Sequence, residues 1–216
     1  MLMLNAVVDI SHYTTISSYS AVKQAGILGI IAKATQGQSY VDPTFVEHKA
    51  QCEAAGFLFG AYHFGTAGDP AAQADFFLQT AGDTPLLVLD FESNPQGQSM
   101  SLIEAEQFVH EIFVRTGRYP GLYSGNDIRQ AFSTAGITQP NQTELSKCWL
   151  WVAQYASAPL VPPVWPAWTL WQYTDGAAGQ GPYSVDGIGR CDRSQFNGTA
   201  QQLAAFWGGA PAPVVA

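Results

Sequence analysis

Short apolar runs recur along the chain at intervals of roughly 20 to 30 residues, and nearly all end on a polar or aromatic side chain. They are Asn5–Asp9 (NAVVD), Gly29–Lys33 (GIIAK), Phe57–His63 (FLFGAYH), Pro85–Glu92 (PLLVLDFE), Pro120–Ser124 (PGLYS), Trp149–Ala153 (WLWVA) and Trp168–Tyr173 (WTLWQY). An eighth run, Gly187–Asp192 (GIGRCD), is weaker because glycine disfavours a strand interior. Runs that are apolar throughout, rather than alternating, describe strands buried on both faces, as in a parallel sheet covered by helices.

The gaps carry helix signals. Asp42-Pro43 and Asp69-Pro70 each place an N-cap acceptor before a proline at the first helical position, where the missing N–H costs nothing. Ser101 with Glu104 forms a capping box, followed by a run that sets Ile103, Phe108, Ile112 and Phe113 near one face until Gly117 ends it. Weaker helices are expected at Tyr19–Gln24, Asp127–Ser133 and Thr199–Trp207, whereas SAPLVPPVWP over 157–166 holds too much proline to be helical. Eight strands with helical crossovers that lapse into loops predict an α/β fold, an irregular (β/α)8 barrel of the TIM type with some crossover helices missing. An open doubly wound sheet is the alternative. Neither G-x-G-x-x-G after the first strand nor a P-loop is present, so nucleotide binding at a sheet switch point has no support. The expected organisation is one barrel domain over residues 1–208 and a Pro/Ala-rich tail or linker stub over 209–216.

Composition narrows the partners. Of 216 residues, 47% are hydrophobic and only 12% charged, so much of the chain must be buried. A net charge of −8 has the wrong sign for holding phosphates, which argues against nucleic acid. No apolar run approaches the ~20 residues that span a bilayer, so no membrane insertion is expected. A monomer is the default state. Cys52, Cys148 and Cys191 are odd in number and widely spaced, which suits buried thiols better than a disulfide framework.

In a parallel barrel, functional groups gather at the carboxyl ends of the strands. Those ends read Asp9, Lys33, Tyr62 or His63, Asp90 and Glu92, Tyr123, Gln154 or Tyr155, Gln172 or Tyr173, and Asp192. Four carboxylates on one rim repel one another, a cost that a chain so poor in charge would carry only for function. Asp90 and Glu92 stand two apart, so strand alternation turns them the same way with Cα atoms about 6.5 to 7 Å apart. Two carboxyls in unequal surroundings are what glycosidic cleavage requires: a protonated acid for the leaving oxygen, and an anion near the anomeric centre. Glu92, with the longer reach, is the candidate acid. Strands also end in solvated acids for no catalytic reason, so the pair needs the company of Tyr62, Phe64, Tyr123, Trp151, Tyr155, Trp171 and Tyr173, aromatic faces on which sugar rings stack. No metal-ligand spacing and no G-x-S-x-G elbow is present, so no metal and no other cofactor is called for. Lys33 is read as a substrate-positioning cation, with a rim salt bridge or a lysine that merely closes its strand as the alternatives.

The segments VVDIS, IIAKATQG, YVDPTFVEHKAQCEAAGFLFGAYHF, LLVLDFE, YPGLYSG, LWVAQY, WTLWQYTDG and GRCDRSQFNG resemble, in order and spacing, the glycoside hydrolase family 25 lysozymes, the Chalaropsis-type muramidases, from about Val7 to Gly198. The resemblance implies an irregular (β/α) barrel that hydrolyses the β-1,4 bond between N-acetylmuramic acid and N-acetylglucosamine in bacterial peptidoglycan glycan strands. It also implies a retaining reaction. Residue by residue, it implies Glu92 as proton donor and Asp90 as the stabiliser of positive charge, acting directly or by orienting the substrate's N-acetyl group. Asp9 and Asp192 would hold substrate and tune the other acids. Tyr62, Tyr123, Trp151, Gln172 and Tyr173 fall at groove positions and are expected to touch sugar. The chain departs from the family pattern at Gln36, where glutamate is frequent, and at Arg193 and Ser194 after the last acid. Two alternatives stay open: a glycosidase cutting the other linkage or a chitin-like polymer, and a sugar-binding barrel without turnover. The opening MLMLNAVVDIS lacks a basic n-region and a long apolar h-region, which predicts synthesis in the cytoplasm without a signal peptide and delivery to the wall by a phage holin lesion or a specialised exporter.

Overall fold

Alternation along the strands sorts the apolar residues of the computed structural model, which describes residues 3–213, into two cores. The strands are β1 (Met3–Ile10), β2 (Gly29–Gln36), the short β3 (Tyr40–Val41), β4 (Leu58–Phe64), β5 (Leu86–Asp90), β6 (Gly121–Ser124), β7 (Trp149–Ala153), β8 (Leu170–Thr174), the hairpin pair β9 (Ser184–Val185) and β10 (Gly189–Arg190), and β11 (Asp192–Asn197). Eight of them close in the order β1-β2-β4-β5-β6-β7-β8-β11 and back to β1. Pairing is parallel from β1 round to β8 and antiparallel on both sides of β11. The open doubly wound alternative is thereby excluded.

The helices are α1 (Tyr19–Gln24), α2 (Phe45–Ala54), α3 (Pro70–Ala81), α4 (Leu102–Thr116), α5 (Asn126–Ala135) and α6 (Ala200–Trp207). No helix among the described residues is long and apolar enough to cross a membrane. Outward-facing strand residues such as Val8, Ile30, Ala61 and Leu89 pack with Phe45, Phe77, Phe108 and Ile112 of the helices to form the larger core. Inward-facing Val7, Ile31, Val88, Tyr123, Trp151, Leu170 and Phe196 fill the barrel. Leu203, Phe206 and Trp207 of α6 join that inner core and close its amino-end floor, where the Trp207 indole N–H donates to the Phe59 carbonyl at 2.8 Å. At Gly121 a Cβ would lie 2.3 Å from the Trp149 ring, so the wall above this floor closes only around a glycine. All three cysteines are free and buried.

Three local expectations are corrected. GIGRCD is not the eighth strand: Gly187 and Gly189 take left-handed φ values of +88° and +92°, which turn the chain through the β9–β10 hairpin, and the barrel strand begins at Asp192. Asp42 is not the cap of α2. Its Oδ1 accepts from the Thr44 N–H at 3.0 Å, a turn that delays the helix so that Thr44 is its N-cap. The buried face of α4 is Ala105, Phe108, Val109 and Ile112, while Ile103 is 67% exposed. Ile103 stands five positions before Phe108, which rotates it well off the face at about 100° per residue. Asp69 does cap α3, and the Ser101–Glu104 box and the Gly117 stop of α4 are formed. The proline-rich run over 157–166 carries no helix, and its Trp165 donates instead to the Cys148 carbonyl at 2.8 Å.

Candidate active site

Four inward-facing core residues each have a polar or charged residue two positions further toward the rim: Val7 leads to Asp9, Ile31 to Lys33, Val88 to Asp90, and Leu170 to Gln172. On β11, which runs the other way, Ser194 leads back to Asp192. Antiparallel pairing sets Asp192 directly opposite Asp9 and so returns the last acid to the same rim. The result is a cleft of about 250 Å³ lined by Asp9, Tyr62, Asp90, Glu92, Tyr123, Trp151, Tyr155, Gln172 and Asp192.

Glu92 lies just past the end of β5 and is held through its neighbour. The Phe91 N–H donates to the Tyr123 carbonyl at 2.9 Å, and the Ser124 hydroxyl donates to the Phe91 carbonyl at 2.7 Å. With the Phe91 ring buried in the outer core, the next side chain is turned into the cleft. Gln172 organises the opposite wall. Its amide nitrogen donates to both carboxyl oxygens of Asp9 at 3.0 Å, and its carbonyl oxygen accepts from the Tyr123 and Tyr155 hydroxyls at 2.8 Å. Trp151 donates its indole N–H to Ser194 at 3.0 Å and packs edge-on against Tyr123, with centroids 4.8 Å apart.

Burial and mutual repulsion push every acid of the cleft upward. Asp9 is raised first by burial and then by Asp192, against the opposing pull of the Gln172 amide. Asp90 is raised by burial and by Glu92, with Lys33 pulling the other way. Glu92 is pushed up to about 7 by burial, then by the charges of Asp127 and Asp192. Asp192 is pushed up to about 6, chiefly by burial. A site in which each negative charge is costly is one where a positive charge is favoured, and where one carboxyl stays protonated near neutrality.

Asp90, Glu92, Asp9, Asp192, Tyr62, Tyr123, Trp151 and Gln172 thus meet in one cleft. Tyr173 does not join them. One position beyond Gln172, it faces the outer core, 2% exposed, where its hydroxyl receives the Asn5 amide at 2.8 Å. Lys33 stands beside the cleft, lining an adjoining cavity. Arg193 turns away from Asp192 to donate to the Ser184 carbonyl and to Asn5, so no cation enters beside that acid. His63 is buried, stacked on Phe108 at 4.9 Å and bonded to Thr35 and Gln73, and burial pushes it down to about 4, a neutral packing residue. Among the described residues no group of three or more His, Cys, Asp or Glu side chains is arranged to hold a metal ion.

Tyr155, read from the sequence as a strand-end aromatic, lines the cleft from just beyond β7, and one contributor escaped that reading. Asp127, in the first turn of α5, raises Glu92 across space and carried no local signal at all. Replacing Asp127 by asparagine should lower the Glu92 pKa from about 7 and move the alkaline limb of the pH–rate profile toward acid; because Asp127 also raises Asp90, the acidic side should move the same way by less. An unmoved alkaline limb would remove Asp127 from this role.

A family model described as glycosyl hydrolases family 25 matches residues 8–181. Lysozyme M1 of Streptomyces globisporus is 34% identical over 218 residues, covering 92% of this chain and 70% of its own. The N,O-diacetylmuramidase of Chalaropsis sp is 33% identical over 189 residues, covering 79% of this chain and 88% of its own. The crystal structure of a bacterial lysozyme from Streptomyces coelicolor matches with a TM-score of 0.76 at 32% identity, covering 92% of this chain and 94% of the other. A family GH25 lysozyme from Aspergillus fumigatus matches with a TM-score of 0.78 at 29% identity, covering 94% and 98%. With a carboxylate-lined cleft on the rim of an irregular barrel and matches that run nearly its whole length, the chain belongs to glycosyl hydrolase family 25.

Proposed function

We propose that the chain is a lysozyme of the N-acetylmuramidase kind, cleaving the β-1,4 bond between N-acetylmuramic acid and N-acetylglucosamine of bacterial peptidoglycan with Glu92 as the acid. The observation that carries this reading is the contrast within one cleft between Glu92, pushed up to about 7, and Asp90, whose buried Oδ1 has no hydrogen-bond partner among the described residues. Glu92 is protonated at mildly acidic pH, as a leaving oxygen requires. An orphaned buried acceptor is costly unless a ligand supplies the donor, and the 2-acetamido N–H of a sugar is a donor of the right kind.

In the sequence that follows, Asp90 accepts that N–H and the acetamido carbonyl oxygen attacks C1. The C1–O bond breaks as Glu92 gives its proton to the departing sugar. Glu92, now a carboxylate, takes a proton from water as the water adds to C1 on the original face, and the acetamido group is released with configuration retained. Asp9 and Asp192 add to the field that favours positive charge at C1, and the Gln172 bonds fix Asp9 in place. Tyr62, Tyr123 and Trp151 offer ring faces and edges for sugar contact.

Mass spectrometry of soluble products from purified peptidoglycan, after borohydride reduction, tests the reading. Reduced muramic acid ends are expected. Reduced glucosamine ends would transfer the cut to the other linkage, and a glycosyl ester trapped on Asp90 would replace the substrate-assisted step by direct attack.

A further inference from the structure

Beside the catalytic cleft lies a second cavity of about 440 Å³, lined among others by His12, Tyr13, Lys33, Gln36, Tyr40 and Asn94. The two share a wall. Lys33 of β2 is in register with Tyr62 of β4, and Phe64 of β4 with Asp90 of β5, so residues lining the second cavity stand directly beside residues lining the reacting centre. Lys33 feels Asp90 as a neighbouring charge but forms no ion pair with any carboxylate among the described residues. Its Nζ donates to the neutral Gln36 Oε1 at 2.7 Å and lies 5.6 Å from the Tyr40 ring centre and 5.0 Å from that of Phe64.

This half-buried ammonium, its pKa lowered by burial against the opposing pull of Asp90 and Asp42, is held by an amide oxygen and two ring faces and bonds to no carboxylate among the described residues, in a chain whose net charge is −8. Opposite it, His12 is tied down through Nδ1, 2.8 Å from the buried Asp42 carboxylate, and Tyr13 stands 84% exposed with its ring 3.9 Å from the imidazole. This is a cavity with one uncompensated cation, amide groups and an exposed aromatic wall. It suits an anion borne on an otherwise polar, partly apolar chain.

We propose that the cavity binds a carboxylate carried on the lactyl ether of the muramic acid seated beside Asp90, with Lys33 as the recognising cation. The inference rests on the muramidase reading. In such an enzyme the sugar whose C1 reacts is muramic acid, and its C3 ether ends either in its own carboxylate or in a peptide that carries acidic residues. Both sources present the same chemistry to Lys33. Gln36, by staying neutral, leaves that cation available.

The test compares three soluble glycans: one with intact stem peptides, the same glycan with its peptide carboxylates converted to amides, and one stripped of peptides so that the lactyl carboxylate is bare. KM and kcat are measured on each for the wild type, Lys33→Met and Gln36→Glu. A roughly fivefold lower wild-type KM is expected for a carboxylate-bearing glycan over the amidated one, with kcat little changed. This ratio should fall to about one in Lys33→Met and shrink in Gln36→Glu, whose new carboxylate pairs with Lys33. A preference seen only with intact stems assigns the peptide as the source, and one seen also with the stripped glycan assigns the lactyl group. A wild-type ratio of one, or a ratio that persists in both variants, overturns the inference. Products lacking muramic acid ends would instead sink the muramidase reading and this inference with it.

Discussion

Glu92→Gln should slow glycan hydrolysis by about a thousandfold while leaving affinity for the glycan nearly intact. The amide keeps the shape and the hydrogen-bonding reach of the side chain but has no proton to give to the leaving oxygen. Proton donation acts only as the bond breaks, so its loss appears in kcat and leaves ground-state binding alone. The Tyr123 and Ser124 bonds to the Phe91 main chain hold the backbone here, so the cleft keeps its form in the variant. Release of reducing ends from soluble glycan at pH 6, set beside co-sedimentation of the variant with insoluble walls, separates the two quantities. A loss under tenfold, or binding that falls in step with the rate, would remove Glu92 from the acid's role.

The same substitution should make the protein more stable, by an amount that grows as pH rises from 4.5 to about 7 and is then constant. Glu92 rises from an ordinary value of 4.5 to about 7 on folding, so between those values the native state binds a proton that the unfolded chain has released. Stability contributed by such a group is fully present below pH 4.5 and is lost as pH rises through about 7. Asp192, raised from 3.8 to about 6, acts in the same direction. Glutamine cannot ionise and escapes the cost of a buried charge among other acids. Because Glu92 is only partly buried, the gain at pH 8 is expected near about 2 kcal/mol rather than the ~3 kcal/mol of a fully desolvated carboxyl. It should vanish at pH 4. Urea midpoints of both proteins at pH 4, 6 and 8 would show two curves that meet in acid and diverge in base. A difference that is constant with pH, or of the opposite sign at pH 8, would mean that Glu92 is not held protonated by its surroundings.

The barrel was legible because its strands are buried on both faces, and continuous apolar runs such as PLLVLDFE and WLWVA report that directly. The weak point was GIGRCD, where two glycines signalled irregularity but local pattern held no information on strand direction. The acid at its end reached the rim all the same, because a strand that begins at Asp192 and runs backwards places its first residue where a forward strand would place its last. Period-two alternation also decides between Gln172 and Tyr173: Leu170 faces inward, so Gln172 enters the cleft and Tyr173 packs outside it. Asp127 and the Gln172–Tyr155 bond arise from segments brought together by the pairing of neighbouring strands, β5 with β6 and β7 with β8, and no local window could hold them.

The reversed final strand also decides where attachments can go. β1 starts and β11 ends on the floor of the barrel, α6 seals that floor, and Ala212 still rests against it beside Trp149. Cargo tethered after Pro213, whether an affinity handle or a surface anchor, therefore hangs from the pole opposite the acids. A polymer threading the cleft would meet no obstruction from it, and immobilisation through this end would leave the rim facing outward.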